Sequence, residues 1–338
     1  NVVYEYAPLG STQVGDIATA DAAAVVEGPT ELKIALIVLG VKEEPWYATF
    51  IDAIGRAADA RPYGLEITLD SFEGIPYADG ERIIRELAAS GEYGMIQAHS
   101  TYSDGVAAVK DEFPDILFGY AGSGNEPLGG NAYWFDVFIH EPSYLAGIIA
   151  GMMTETNKIS GVAAFPYPNV NGPLNAYIAG ARSVNPDIEA TATYIESWFD
   201  PVTARESAAA QIAAGSDMIY MDSFGSLEAV EEADGVYAFG HYSDQHSFNP
   251  DLVLASSIAL WDPAFMTLVN AWWAYKTEDT PYDGPMERIL FYMPGGGSGL
   301  GVISDSVPSD VLAIVEETRE KIMSGELVLE INAAPIEG

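Results

Sequence analysis

The chain has 338 residues, 49% hydrophobic and 11% aromatic, which is more than one core organises, so two packed lobes are the default and disorder is excluded. Fifty acidic residues against fourteen basic ones leave a net charge of -36, a field that repels nucleic acid and anionic lipid. With no cysteine, disulfides, thiolate metal sites and a cysteine nucleophile are excluded as well.

The acids are spread along the chain rather than clustered, which reads as adaptation of the whole surface to high salt, where screening within a few ångströms makes self-repulsion tolerable. No uninterrupted apolar stretch approaches the ~18 residues of a membrane span. The first thirty or so residues, rich in Ala, Gly, Thr and acids, read as a tether or extension (1–31), and the folded body is expected from Leu32.

From there short apolar runs recur: Leu32–Gly40, Tyr93–Ala98, Ile116–Ala121, Ile159–Phe165, Ala190–Ser197, Asp217–Asp222, Val236–His241, Leu252–Leu260 and Arg288–Met293. Each reads as a buried strand. Helical patterns lie between and beyond them, over Trp46–Ala60, Gly80–Ser90, Asp104–Glu112, Ser143–Thr156, Pro173–Ser183, Val202–Ala214, Ser226–Glu232, Pro263–Lys276 and Ser309–Ser324. Strands alternating with helices predict an α/β protein with parallel sheets, and two doubly wound lobes fit better than one closed barrel, the alternative.

Open parallel sheets bind ligands beyond the carboxyl ends of their strands. Those positions carry Trp46 and Tyr47; His99, Ser100 and Tyr102; Trp198, Phe199 and Asp200; Asp222 and Ser223; His241, Ser243 and Asp244; and Trp261 with Asp262. Flat rings for stacking alternate with acceptors for orientation, a combination that suits a nucleobase or similar heterocycle. Taken singly, each aromatic is as well explained by core packing. Asp200, ahead of Pro201, reads as a helix N-cap, whereas Asp244 is followed by a turn. The candidate ligand-binding set is Trp46, Tyr102, Trp198, Phe199, Asp222, Ser223, His241, Asp244 and Trp261. The four histidines lack the paired spacing of a zinc site, and no nucleophile elbow is present, so neither a catalytic residue, a metal nor a cofactor is expected. The glycines of 295–301 make a poor dinucleotide fingerprint, since no clear helix follows them, and read as a flexible loop near a hinge.

With these residues in view, the sequence resembles the basic membrane lipoprotein family of ABC-importer binding proteins, over about Leu32 to Leu327. The resemblance is carried by Glu141-Pro-Ser-Tyr144-Leu-Ala-Gly147 and Ser243-Asp244-Gln245, with Phe113-Pro-Asp115, Val184-Asn-Pro-Asp187, Gly215-Ser-Asp217 and Lys321-Ile-Met-Ser-Gly-Glu326 in support. Trp198-Phe199-Asp200-Pro201 and Trp261-Asp262-Pro263 look closer to the branch holding a free base such as adenine than to the nucleoside-binding branch. Two departures point the same way: Pro45-Trp46 stands where ribose-gripping members have Phe-Asn, and Ala259-Leu260 where they have a lysine; an acid two residues before Asp244 is also replaced, by Tyr242.

The resemblance implies an extracytoplasmic protein anchored at the outer face of the membrane, its anchoring cysteine outside the chain as given, that delivers a small heterocycle to an ABC permease. It also implies interleaved lobes, 32–138 with 250–280 and 139–249 with 281–330, with crossovers near His140, Asn249 and Tyr282. The lobes would close on a ligand held by Trp46 and Tyr102 from one side and Phe199, Asp222 and Asp244 from the other. A nucleoside-binding member of the family, a nucleoside hydrolase using Asp222 or Asp244 as base, and a sensor ectodomain are the competing readings of the same scaffold.

Overall fold

The computed structural model describes residues 28–336; positions 1–27 of the expected tether lie outside the described residues. The first sheet is built from β1 (Glu31–Ile37), β2 (Glu66–Phe72), β3 (Met95–Ala98), β4 (Leu117–Ala121), β5 (Ala132–Val137) and β11 (Ile289–Phe291). Its order is β11-β5-β4-β3-β1-β2, all parallel. The second contains β6 (Lys158–Ala163), β7 (Glu189–Tyr194), β8 (Met218–Met221), β9 (Tyr237–Tyr242), β10 (Val253–Ala259) and β12 (Ser298–Leu300), in the order β12-β10-β9-β8-β6-β7 with only β12 antiparallel. Two open sheets, not a closed barrel, meet the α/β expectation.

Helices cover both faces of each sheet. The first lobe takes α1 (Pro45–Ala60), α2 (Gly80–Ser90), α3 (Ser103–Val109) and α8 (Asp262–Thr277); the second takes α4 (His140–Met153), α5 (Pro168–Val184), α6 (Pro201–Ala213), α7 (Ser226–Glu231) and α9 (Ser309–Met323). Each sheet has its own pair of apolar clusters, one per face, which is what makes two cores of one chain.

The strand pairings divide the chain differently from the expectation. Residues 253–259 pair in the second sheet, on β9, although 250–280 was placed with the first lobe; residues 289–291 pair in the first sheet, on β5, although 281–330 was placed with the second. The chain therefore passes between lobes at 138–139, at 260–261 and at 292–297. The reason is continuity of the core: β10 is buried along its whole length beside β9, and the chain enters the first lobe's apolar cluster only at the end of that strand, with Ala259 and Trp261.

Several resembling motifs prove to be scaffold. Glu141, in the first turn of α4, accepts the Met293 N–H at 2.6 Å and so pins the last passage. Gly147 and Gly180 let α4 and α5 touch backbone to backbone: a Cβ on the former would lie 1.9 Å from the Tyr177 carbonyl, and on the latter 2.0 Å from that of Tyr144. Asp217 accepts from Thr154 Oγ1 and from the backbone of Glu155 and Thr156, fixing the turn before β6. Asn185 reaches the Gly151 carbonyl in the same region.

Candidate functional site

The carboxyl ends of both sheets converge on Trp46. Pro45 opens α1 with its fixed φ, which puts Trp46 in the first helical turn, above the strand ends. Its ring meets His99, which follows β3, at 5.3 Å; Trp261, which follows β10, at 4.8 Å edge to face; and Tyr242, the last residue of β9, at 5.2 Å edge to face. One turn on, Phe50 stacks on His99 at 4.2 Å. Trp46 is part-exposed, whereas Phe50, His99 and Trp261 are fully buried, so Trp46 is the open face of an aromatic block.

His99 is held neutral. Burial drives its pKa down to about 3, against a smaller opposing contribution from a Trp46 backbone hydrogen bond. Its Nδ1 lies 3.2 Å from Gln97 Nε2, which as an amide donor assigns the ring proton to Nε2. Trp261 spends its indole N–H on Thr49 Oγ1 at 3.1 Å and backs the wall rather than facing a ligand. Tyr102 is likewise buried in the first lobe, donating to the Ile75 carbonyl, with Tyr77 edge-on at 5.2 Å.

On the second side a buried carboxylate stands at the end of β8. Asp222 Oδ2 accepts the Ala164 N–H at 2.8 Å, and Oδ1 lies 2.9 Å from His241 Nε2, outside hydrogen-bond geometry. His241 Nδ1 is 2.9 Å from the Tyr220 hydroxyl, and that hydroxyl is 2.9 Å from Ser143 Oγ, which donates to the Ile139 carbonyl at 2.6 Å. A continuous polar chain thus joins a strand-end acid to the passage at 138–139. Ser223, next along, is buried with an unpartnered hydroxyl.

The remaining expected residues are not brought together. Trp198 joins Phe165, at 4.9 Å, and Tyr167, at 5.9 Å, in an aromatic trio beyond β6 and β7. Phe199 turns to Phe224, at 6.2 Å, and stays 54% exposed. Asp200 caps α6 through Thr203 N at 3.1 Å. Asp244 accepts from His246 N at 3.1 Å and Val302 N at 3.0 Å, tying the loop after β9 to the segment after β12; a Cβ at Gly301 would strike its carboxyl carbon at 2.7 Å. The glycine run at 295–301 therefore forms the last inter-lobe passage and the seat of Asp244.

One residue escaped the sequence reading, and a second was read there only as a departure from the family pattern. Asp136 is buried near the end of β5, where Arg288 Nη1 approaches at 3.2 Å, yet desolvation outweighs that cation and pushes its pKa up to about 7. Tyr242 holds a φ of 59°, a strained choice for a tyrosine costing roughly 1–3 kcal/mol. An aromatic ending an apolar run immediately before Ser243-Asp244-Gln245 was its available signal.

Two α/β/α lobes joined by repeated chain passages, with rings and a buried acid at facing strand ends, define a solute-binding protein of the periplasmic-binding class. The chain belongs to the Bmp family: the family model described as ABC transporter substrate-binding protein PnrA-like matches residues 32–272. It is 31% identical over 320 residues to a Haloferax volcanii protein named as an ABC-transporter glucose-binding protein, spanning 94% of this chain and 78% of that one. It is 29% identical over 263 residues to a purine-binding protein of Brucella abortus, spanning 74% and 69%. Among solved structures it is similar to a solute-binding protein of Conexibacter woesei, with a TM-score of 0.71, 22% identity and coverage of 89% and 99%. An activator of the comK gene from Bacillus halodurans matches with a TM-score of 0.72, 20% identity and coverage of 88% and 100%; both structural matches speak to the fold. The chain is thus an ABC-transporter substrate-binding protein. Among the described residues, no helix is long and apolar enough to cross a membrane and no group of three His, Asp or Glu side chains could hold a metal ion.

Proposed function

We propose that this protein captures a purine base or a similar flat heterocycle outside the cytoplasm and presents it to its permease by closing the two lobes. The observation that carries the reading is the Trp46 block, a part-exposed indole braced by His99, Trp261 and Tyr242. Such a wall rewards a flat π-face. Closure over a ligand that touches both lobes would shift the population toward the form a permease reads.

The relative from Haloferax volcanii supports a second reading, a hexose ligand, since an exposed tryptophan face also stacks on sugar rings. Melting curves in molar salt with purine bases, nucleosides and glucose separate the two, because a ligand of the folded state raises the melting temperature. A shift with a free base and none with glucose is expected; the reverse replaces the heterocycle with a hexose. Base released from nucleosides on incubation would instead indicate a hydrolase.

A further inference from the structure

The second sheet sends one aromatic side chain across to the stacking wall of the first. Tyr242 ends β9, packs against the first lobe's apolar cluster and meets Trp46 with ring centroids 5.2 Å apart and planes at 69°. Three constraints fix it there. A φ of 59° turns the chain out of its extended course, so the side chain leaves the sheet where no regular strand residue would. Its ring is wedged against Trp46 and the first lobe's apolar cluster. The ring of His241 packs on it at 4.0 Å.

We propose that Tyr242 is the specificity-determining residue of the cleft, admitting a flat unsubstituted ring beside Trp46 and excluding one that carries a sugar. This inference rests on the heterocycle reading above. A phenol has about the bulk of a pentose ring, and here it occupies the space next to the stacking wall. It does not swing aside without losing its packing against the first lobe and against His241. Its plane lies at 69° to that of Trp46, and a single phenol hydroxyl offers no pair of acceptors for a diol. A sugar pushed against it would bury hydroxyls without partners, whereas a bare aromatic ring gives up no hydrogen bond there.

The test is titration of adenine and adenosine into wild type, Tyr242→Asn, Tyr242→Gly and Tyr242→Phe in molar salt. Asn and Gly both accept left-handed backbone, so the truncations remove the ring without adding strain, and melting curves establish that each variant is folded. Wild type is expected to prefer adenine by about tenfold or more, both truncations to erode that preference by about tenfold through tighter binding of adenosine, and Tyr242→Phe to retain it. A base-to-nucleoside ratio unchanged in both truncations, or a wild type that prefers adenosine, overturns the role of Tyr242 and leaves the heterocycle reading standing. A wild type that binds neither compound overturns both.

Discussion

Asp222 and His241 face each other at 2.9 Å from the ends of adjacent strands, and behind them Tyr220 and Ser143 continue the contact to the Ile139 carbonyl. Asp222 follows β8 and Ile139 belongs to a passage between lobes, so the polar chain links a strand-end acid to that passage. Buried networks of this kind are costly when one member is removed. Tyr220→Phe keeps the ring and deletes the link. It is expected to cost about 1–3 kcal/mol in denaturant unfolding and to weaken ligand binding severalfold, because the acid is no longer held. Loss of stability with unchanged affinity would sever the network from binding.

Asp244 was expected in the ligand set, yet its carboxylate is spent on the backbone of His246 and Val302. Asp244→Ala should lower stability by about 1–2 kcal/mol and leave the preference among ligands as in wild type. A folded, equally stable variant that no longer binds would return Asp244 to the site.

Stability should depend on pH through two buried groups of opposite sign. His99, at about 3 in the folded protein against 6.5 as its ordinary value, is protonated more readily in the unfolded chain, so its contribution is present above 6.5 and lost as pH falls toward 3. Asp136, at about 7 against 3.8, binds its proton more tightly when folded, so its contribution is present below 3.8 and lost as pH rises through 7. His99→Phe should flatten the fall in melting temperature below pH 6.5, and Asp136→Asn the fall between pH 4 and 7. Unaltered profiles in both variants would contradict these assignments.

A net charge of -36 on a chain of this length opposes its own folding at low ionic strength. Raising salt from about 0.2 M to about 3 M shortens the screening length to a few ångströms and should raise the melting temperature markedly. Full stability in dilute buffer would count against a salt-adapted surface.

Alternation of buried runs with helical patterns made the two-sheet architecture legible, and Asp200 announced its cap through Pro201. β2, β5 and β12 escaped for physical reasons. β2 is an edge strand whose two exposed positions, Glu66 and Thr68, are polar, β5 carries the buried Asp136 within its aromatic run, and β12 is three residues inside a glycine-rich passage. Pro173 was read as a helix start, but α5 begins at Pro168 and runs through it. At the site, Trp46, Asp222 and His241 followed from the strand-end rule. That rule locates a residue near the cleft without saying which way its side chain turns. Trp261 and Tyr102 face inward, Phe199 turns to Phe224, and Tyr242 reaches the cleft only through a backbone conformation no sequence pattern displays.

The central claim is that Trp46 forms the wall on which a flat ligand stacks, and titration calorimetry of adenine and of glucose, with wild type and Trp46→Ala in molar salt, tests it most directly. The account predicts that wild type binds adenine and not glucose, and that Trp46→Ala, still folded, weakens adenine about tenfold or more. Glucose binding by wild type, or adenine binding that survives the loss of Trp46 undiminished, would contradict it.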